Sequence, residues 1–217
     1  CGLPLWQDMP EGETESMETG REKTPQVATR HKRLILIRHG QTEFNTQHRL
    51  QGWSDSPLTE EGKRQMARSG LELKHMGVQP DVIWCSDLGR AVESAGIVLP
   101  YAQRMALPAL REYSFGEFDG KPGADAPGWD ELPAYGAEDL AEARDRLAKA
   151  IGYVLSKTPD GETAVGITHG IAASLILTFA ECDQQPEWFQ NGCLLIFDWD
   201  GEILRLQEIR NNEHGKE

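Results

Sequence analysis

The chain has 217 residues, 39% of them hydrophobic, which is long enough for one buried core and short for two. Its 22 basic residues stand against 35 acidic ones, and the net charge of -13 argues against nucleic acid or anionic lipid as a partner. The longest apolar run, residues 171–180, falls well short of the roughly 20 residues that a membrane span needs. We therefore expect one globular domain with no nucleic-acid and no membrane partner.

The four cysteines form no CxxC pair and no zinc-type spacing with histidine. Cys85 and Cys193 lie in or beside apolar runs, where free cysteine serves as a small hydrophobic residue. We therefore expect reduced thiols and a cytoplasmic protein. The first residue is Cys1, which fits a truncated or processed N-terminus; a mature lipoprotein also begins with cysteine, but no signal segment supports that interpretation.

The first segment, residues 1–31, is acidic, holds several prolines and shows no sustained apolar period, so we expect a flexible tail. The domain would then span residues 32–217. The continuous aliphatic run at 34–37 is typical of a strand that is covered on both faces. A helix follows, with Thr59 as its N-cap and Gly77 at its end.

The middle of the chain predicts a second unit of strand and helix. Residues 82–85 form a short apolar run, and the helix behind it extends to about Leu99, just before Pro100. Ser86 or Asp87 can supply the N-cap of that helix.

Beyond this unit the pattern becomes irregular and then regular again. Prolines, glycines and carboxylates predict a small irregular lid at about residues 117–136. A long amphipathic helix over 140–154 follows, and then a third buried strand over 164–168 with a helix behind it. The last two strands flank Asp200-Gly201, a dipeptide typical of two-residue hairpin turns.

This alternation predicts an α/β fold in which helices flank a mostly parallel mixed sheet and a hairpin closes one edge. In such sheets the chemistry collects at the carboxyl ends of the strands. Arg38 and His39 follow the first strand, Arg90 lies beyond the second, and His169 follows the third. These side chains come from distant parts of the sequence, and we expect them to meet at one edge of the sheet.

Such a cluster suits phosphoryl transfer. His39 can attack phosphorus if one ring nitrogen donates to a backbone carbonyl and the other presents its lone pair. Arg38 and Arg90 offer planar guanidinium groups to the phosphate oxygens, and Gly40 would let the backbone come close. His169, with the N–H groups at the start of its helix, would stabilise the charge that builds on phosphorus.

Glu112 is the candidate general acid, which would protonate the leaving oxygen and later activate water. Glu117 and Asp119 lie nearby in the sequence, and an exposed acidic loop is the ordinary explanation for such residues. Asp198 and Asp200 bracket a turn, where aspartate is favoured for backbone reasons, so we predict no metal site there.

Separate stretches of sequence carry a resemblance to a known family: LILIRHGQTEFN at 34–45, LQGWSDSPLTEEGKRQMA at 50–67, SDLGRAVESA at 86–95, LREYSFGEFDG at 110–120 and VGITHG at 165–170. Together they resemble the histidine phosphatase superfamily, also called the phosphoglycerate mutase-like family, from about residue 33 to 209. The resemblance implies a three-layer sandwich and a reaction that needs no metal ion and no cofactor.

The resemblance also implies roles for individual residues. It makes His39 the phosphorylated residue and Glu112 the proton donor. The phosphate pocket would be completed by Arg38, Arg90 and His169. The remaining phosphate- and substrate-binding positions would be Gly40, Asn45, Gln51, Gly52 and Gly170.

The charge of the lid region bears on the reaction. A mutase must hold a second anionic group, yet Lys121 is the only Lys or Arg in residues 113–143. This favours a phosphomonoesterase that acts on a small phosphorylated metabolite. Phosphoglycerate mutase activity is the alternative, and a module that binds phosphate without turnover is a third hypothesis from another class.

The identity of the substrate stays open at this level. Sugar phosphates, phosphoglycerates and a cobalamin-precursor phosphate such as α-ribazole phosphate all fit the sequence. Trp53, Trp129 or Tyr135 could stack on an organic leaving group, although core packing explains each of them equally well. The oligomeric state cannot be read from the sequence.

Overall fold

The computed structural model describes residues 31–182 and 189–211, so the predicted tail lies outside the described residues except for His31. Six strands in these ranges form one sheet in the order β3-β2-β4-β1-β5-β6. The strands are β1 Lys32–Arg38, β2 Val82–Cys85, β3 Gln103–Ala106, β4 Thr163–Thr168, β5 Leu194–Trp199 and β6 Leu204–Arg210. The helices are α1 Glu43–Thr46, α2 Glu60–His75, α3 Gly89–Val98, α4 Leu140–Lys157 and α5 Gly170–Leu177.

The sheet is mixed, as predicted. β1, β2, β3 and β4 run parallel to one another, whereas β5 and β6 pair antiparallel and close the edge beyond β1. This confirms an α/β fold with a mostly parallel sheet between helices. None of the helices in the described ranges is long and apolar enough to cross a membrane.

The first strand shows why the sheet needs a layer on each face. Leu34 and Leu36 join a core cluster that includes residues of α4 and α5. Ile35 and Ile37 point to the other face and join a cluster that includes residues of α2 and α3. All four side chains are buried, because successive side chains of a strand alternate between faces. The continuous aliphatic run therefore marks a strand in the middle layer of three.

The helix starts were predicted with mixed success. Thr59 caps α2 as expected, since its hydroxyl accepts a hydrogen bond from the N–H of Gly62 at 3.0 Å. The predicted cap of α3 by Ser86 or Asp87 is wrong: Leu88 stands at the N-cap without a side-chain bond. Both predicted side chains have other partners, because Ser86 bonds a histidine ring and Asp87 pairs with an arginine.

The hairpin between β5 and β6 is wider than predicted. Trp199 pairs with Leu204, which leaves a loop over residues 200–203 instead of a two-residue turn. The Asp200 carboxylate accepts bonds from the N–H groups of Glu202 at 3.0 Å and Ile203 at 2.9 Å. This bonding of a side chain to nearby backbone stabilises the wider loop.

The region predicted as a lid is irregular. The only regular elements in residues 117–136 are short 3-10 turns, which cover Gly116–Phe118, Gly123–Asp125 and Leu132–Tyr135. Near the start of this region, the Asp119 carboxylate accepts the N–H groups of Trp53 and Phe115, each at 2.9 Å. The bond to Trp53 links the region to a neighbouring loop. The action of this region as a lid stays a prediction.

Cys85 and Cys193 are both buried and unpaired, as predicted. Burial raises the pKa of each thiol to about 11, so both stay protonated at neutral pH.

Candidate active site

The pairing of β1 with β4 brings the two candidate histidines together. Arg38 and Thr168 are register partners at the carboxyl ends of these parallel strands. The residue that follows each strand is a histidine, and the N–H of His39 donates to the Thr168 carbonyl at 3.0 Å. The ring centroids of His39 and His169 lie 5.2 Å apart. Both rings are almost fully buried.

The hydrogen bond of His39 determines its tautomer. Nδ1 lies 2.8 Å from the carbonyl oxygen of Gly40, which can only accept. The ring proton is therefore on Nδ1, and Nε2 carries the free lone pair. Burial, followed by the nearby charges of Arg90 and Arg38, holds the pKa of His39 well below its usual range. A neutral imidazole with an available lone pair is the form that can act as a nucleophile.

His169 is held by a hydrogen bond at Nε2, whereas His39 is held at Nδ1. Its Nε2 lies 2.8 Å from the hydroxyl oxygen of Ser86. Burial, followed by the charge of Arg90 and the proximity of His39 and Arg38, holds the pKa of His169 well below its usual range. If the Ser86 hydroxyl donates to Nε2, the ring proton is on Nδ1 and can be offered to an anion. Ser86 directly follows β2, and the sequence analysis considered it only as a helix cap.

Arg90 is a buried cation whose direction is fixed by the backbone of a loop. Its side chain is fully buried, Nη2 donates to the Gly52 carbonyl at 2.9 Å, and Nη1 donates to the Ser54 carbonyl at 2.9 Å. Asp55 lies 3.2 Å from Nη1 and is the ion-pair partner. Burial lowers the pKa of the guanidinium, while Glu112 and Asp55 raise it. The loop therefore holds a positive charge close to His39.

Some buried donors around the histidines have no protein partner. Among the described residues, Arg38 Nε, Arg90 Nε and His169 Nδ1 are buried without a hydrogen-bond partner. Arg38 is otherwise held by Nη1, which donates to the carbonyl of Phe189. Buried polar groups are normally hydrogen-bonded, so the two guanidinium donors indicate a site for an acceptor that is not part of the chain. A phosphate has several acceptor oxygens and the negative charge that two arginines favour.

The carboxylate of Glu112 binds backbone N–H groups at the start of α5. One carboxylate oxygen, Oε1, accepts the N–H groups of Tyr113 at 2.9 Å and Ala172 at 2.7 Å, and Oε2 accepts the N–H of Ile171 at 3.0 Å. The prediction that N–H groups at the start of this helix would serve the phosphate is therefore wrong for Ile171 and Ala172. A carboxylate is well placed at the positive end of the helix dipole, and here it belongs to the protein.

The backbone of Glu112 is also held in place. Its carbonyl accepts the indole N–H of Trp53 at 2.9 Å and a guanidinium N–H of Arg146 at 3.3 Å. Arg146 is in turn paired with Glu138 at 2.7 Å. Because side chain and carbonyl are both bonded, Glu112 has little freedom to turn away from the site.

Asn45 and Gln51 both line the cavity at the histidines, but their side chains bond the protein. The Asn45 oxygen accepts the N–H of Thr42 at 3.1 Å and the amide of Asn191 at 3.3 Å. The Gln51 oxygen accepts the Thr42 hydroxyl at 3.0 Å, and its amide donates to Ser56 at 2.8 Å. With both ends bonded, Gln51 shapes the loop, and its expected reach toward the substrate does not match these contacts.

Asn191 is a functional candidate that the sequence analysis missed. Its amide donates to the backbone carbonyl of His39 at 2.9 Å as well as to Asn45. It thereby links the backbone of the candidate nucleophile to a residue of the cavity wall. It belongs to no recognisable motif, and 152 positions separate it from His39.

Contacts within the protein require two of the three candidate glycines of the site. A Cβ on Gly40 would lie 2.5 Å from the carbonyl oxygen of Gly62 in α2, so the structure gives a different reason for this glycine than approach to phosphate. Gly52 has φ of +48°, and a Cβ there would overlap the Asp119 carboxylate. A Cβ added to Gly170 would lie 3.6 Å from the Arg38 guanidinium, an ordinary contact, so packing does not require this glycine.

A cavity of about 550 Å³ opens onto this cluster. Arg38, His39, Arg90 and Glu112 line its inner part, and Trp129 lines its outer part. Of the three aromatic side chains considered for stacking, Trp129 alone is among the described residues that line it. Instead, the Arg111 guanidinium lies over the Trp53 ring, 4.9 Å from its centroid, and the Tyr135 ring contacts the Phe118 ring. Within 31–182 and 189–211, no three His, Cys, Asp or Glu side chains come together as a metal site would require.

Solved structures with this fold cover most of the chain. YhfR of Bacillus stearothermophilus has a TM-score of 0.70 and 27% identity, covering 81% of this chain and 95% of that one. A phosphoglycerate mutase from Bacillus anthracis has a TM-score of 0.73 and 25% identity, covering 83% and 93%. A candidate alpha-ribazole-5'-P phosphatase from Escherichia coli K-12 has a TM-score of 0.67 and 25% identity, covering 83% and 97%.

Curated relatives match over a shorter stretch. Phosphoglycerate mutase 1 of Saccharomyces cerevisiae is 39% identical over 98 residues, which is 43% of this chain and 40% of that protein. A 2,3-bisphosphoglycerate-dependent phosphoglycerate mutase of Corynebacterium jeikeium is 39% identical over 87 residues, or 40% and 34%. The chain thus spans 34% to 40% of the length of these curated relatives.

A family-wide comparison covers far more of the chain than these pairwise matches. The family model described as the histidine phosphatase superfamily, branch 1, matches residues 34–212. These bounds include every candidate catalytic residue and the whole sheet apart from the first two residues of β1. The chain therefore belongs to branch 1 of the histidine phosphatase superfamily, whose members include mutases and phosphatases.

Proposed function

We propose that this protein is a phosphomonoesterase that hydrolyses a small phosphorylated metabolite through a phosphohistidine at His39 and needs no metal ion. One observation carries the proposal: a neutral His39 presents Nε2 beside buried donors that have no protein partner. The donors suit the oxygens of a phosphate, and the lone pair suits attack on its phosphorus.

In the first step Nε2 of His39 attacks phosphorus, and the bond from phosphorus to the leaving oxygen breaks. Arg38, Arg90 and His169 donate to the other phosphate oxygens. Glu112 gives its proton to the leaving oxygen, so the alcohol departs neutral. The contacts of Glu112 leave room for that proton on one oxygen, Oε2. Oε1 already accepts two N–H groups, whereas Oε2 accepts one and keeps a lone pair free.

In the second step water attacks the phosphorus of the phosphohistidine. Glu112, now ionised, accepts a proton from the water, and the bond between Nε2 and phosphorus breaks. The products are inorganic phosphate and the original neutral His39. The proton that Glu112 lost in the first step is thereby restored.

The outer part of the site favours water over a second phosphorylated substrate as the acceptor. Lys121 is the only basic residue of 113–143, and its Nζ lies 4.8 Å from the centroid of the Phe118 ring. Arg49 lines the cavity but donates to the Gly120 carbonyl and lies over the Phe44 ring at 4.5 Å. Arg49 is therefore the single cation of the described cavity lining beyond Arg38 and Arg90, the two arginines assigned to the phosphate, so a second anionic group would find little positive charge there. The names of the curated relatives favour the alternative, a phosphoglycerate mutase.

A panel of phosphomonoesters tests the proposal. We expect the purified protein to release inorganic phosphate from some of them without bisphosphoglycerate, and to carry an acid-labile phosphate when quenched during turnover. Interconversion of 2- and 3-phosphoglycerate that depends on bisphosphoglycerate would instead establish the mutase. Phosphate binding with neither release nor label would establish a module without turnover.

Ser86 is expected to position His169, and Ser86→Ala should lower kcat about tenfold with KM nearly unchanged. Loss of the hydroxyl removes the hydrogen-bond partner of Nε2, which we expect to fix the ring proton on Nδ1. Nitrogen NMR of the imidazoles should show His169 as one tautomer in the wild type and as a mixture in the variant. A variant with unchanged tautomer and unchanged kcat would show that Ser86 has no such role.

A further inference from the structure

The outer part of the catalytic cavity has an apolar wall, which we define as Leu50, Phe115, Trp129 and Ile171. These side chains come from three separate segments of the chain, and they line the same cavity as the candidate nucleophile. The cavity volume of about 550 Å³ lies in the range of sites that hold whole organic ligands. A phosphate group alone would leave most of this wall without contact.

Trp129 is the most exposed member of the wall. Its side chain is 48% exposed, although it packs against Tyr113 and Phe115 with ring centroids 5.7 and 6.1 Å apart. Tyr113 and Phe115 are themselves buried and contact each other edge to face at 5.2 Å. The indole is thus supported from behind by two fixed rings while part of it faces water. A half-exposed aromatic ring on a rigid support suits stacking by a flat ligand.

The support of Trp129 connects directly to the catalytic machinery. Tyr113 follows Glu112 in the chain and donates its N–H to that carboxylate. Phe115 is fixed two residues later, where its N–H donates to the Asp119 carboxylate at 2.9 Å. A group packed on Trp129 would therefore lie in the same cavity as Glu112, which must meet the leaving oxygen.

The charges near the wall disfavour an anionic leaving group. Asp125, Asp130 and Glu131 flank Trp129 in the same segment, and Arg49 has intramolecular contacts. In the described lining the arginines are Arg38 and Arg90, which the phosphate itself requires, and Arg49, so a carboxylate or a second phosphate at this end would depend on Arg49 alone. His48 and Arg49 are the titratable groups of the described lining other than Arg38, His39, Arg90 and Glu112.

We propose that the alcohol part of the substrate carries an aromatic ring, which stacks on Trp129 while the phosphate is held at His39. This inference rests on the proposed function, because it assigns the leaving group of that reaction. It predicts that substrate preference follows the aromatic character of the alcohol.

Two substrates with similar alkoxide leaving groups separate ring recognition from chemical reactivity: 2-naphthylmethyl phosphate and propyl phosphate. We expect the wild type to have a kcat/KM at least about tenfold higher for the naphthylmethyl ester. Trp129→Ala should raise KM about tenfold for that ester and change it less than about twofold for propyl phosphate. Trp129→Phe keeps a ring and should recover most of the difference. Tyr101→Ala, which removes an exposed aromatic ring outside the cavity, is the matched control.

Equal kcat/KM for the two esters in the wild type, or equal losses for both in Trp129→Ala, would overturn the inference. A second arm measures the affinity of the non-hydrolysable 2-naphthylmethylphosphonate and of propylphosphonate. Tighter binding of the naphthyl compound that depends on Trp129 would support the subsite even if no ester were hydrolysed. In that outcome the proposed function fails and the aromatic subsite stands, so the two failures are distinguishable.

Discussion

Replacing His39 by alanine is expected to lower kcat/KM for phosphomonoesters at least about 10⁴-fold and to remove the acid-labile phosphate. The reason is that Nε2 of this ring is the atom to which the phosphoryl group is transferred. Water in its place would have to attack phosphorus without a fixed direction. Rates of phosphate release, together with the phosphate bound to protein after a rapid quench, measure the effect.

Two variants keep this result interpretable. His39→Asn places an amide near the position of Nδ1, where it can still donate to the Gly40 carbonyl, but it offers no nucleophile. We expect it to fold, to bind inorganic phosphate and to be as inactive as His39→Ala. His75→Ala removes an exposed histidine of α2 and should keep full activity. Activity of His39→Asn within about a hundredfold of the wild type would contradict a phosphohistidine at this position.

The contact between the two histidines could be predicted because the sequence pattern that places each one lies within its own strand. Each apolar run ends where a polar, reactive residue begins, and parallel pairing then brings the two ends together. The same reasoning failed for β3, whose residues Gln103–Ala106 are all exposed and do not form an apolar run. An edge strand held by backbone pairing needs no apolar pattern, so its sequence does not reveal it.

The partners of individual side chains could not be predicted from the sequence. Ser86 and Asp87 have the composition of helix caps, yet His169 and Arg111 bind them. Glu112 accepts an N–H group from Ala172, 60 positions away. Such choices depend on which donors the fold brings within about 3 Å, and no local pattern encodes that distance. The resemblance selected the candidate residues of the site, whereas the structure revealed which of their atoms are already bonded.

Glu112→Gln is expected to affect substrates according to how much their leaving group needs a proton. For an alkyl phosphate we expect kcat/KM to fall about 10²- to 10⁴-fold, because the alkoxide can no longer be protonated. For p-nitrophenyl phosphate, whose phenolate leaves without a proton, kcat/KM should change little. Hydrolysis of the phosphohistidine still needs a base, so kcat should fall and the phosphohistidine should accumulate as a burst of p-nitrophenolate.

The matched control for this variant is Glu117→Gln, which neutralises the neighbouring carboxylate in an exposed position. It should leave kcat/KM for both substrates unchanged, whereas loss of alkyl phosphatase activity in this variant would move the acid role away from Glu112.

The amide introduced by Glu112→Gln also presents a donor to the N–H of Ile171, which would loosen the start of α5 and weaken phosphate binding. That effect would reduce kcat/KM equally for both substrates. Only a loss that grows with the basicity of the leaving oxygen, together with the burst, identifies Glu112 as the residue that moves the proton.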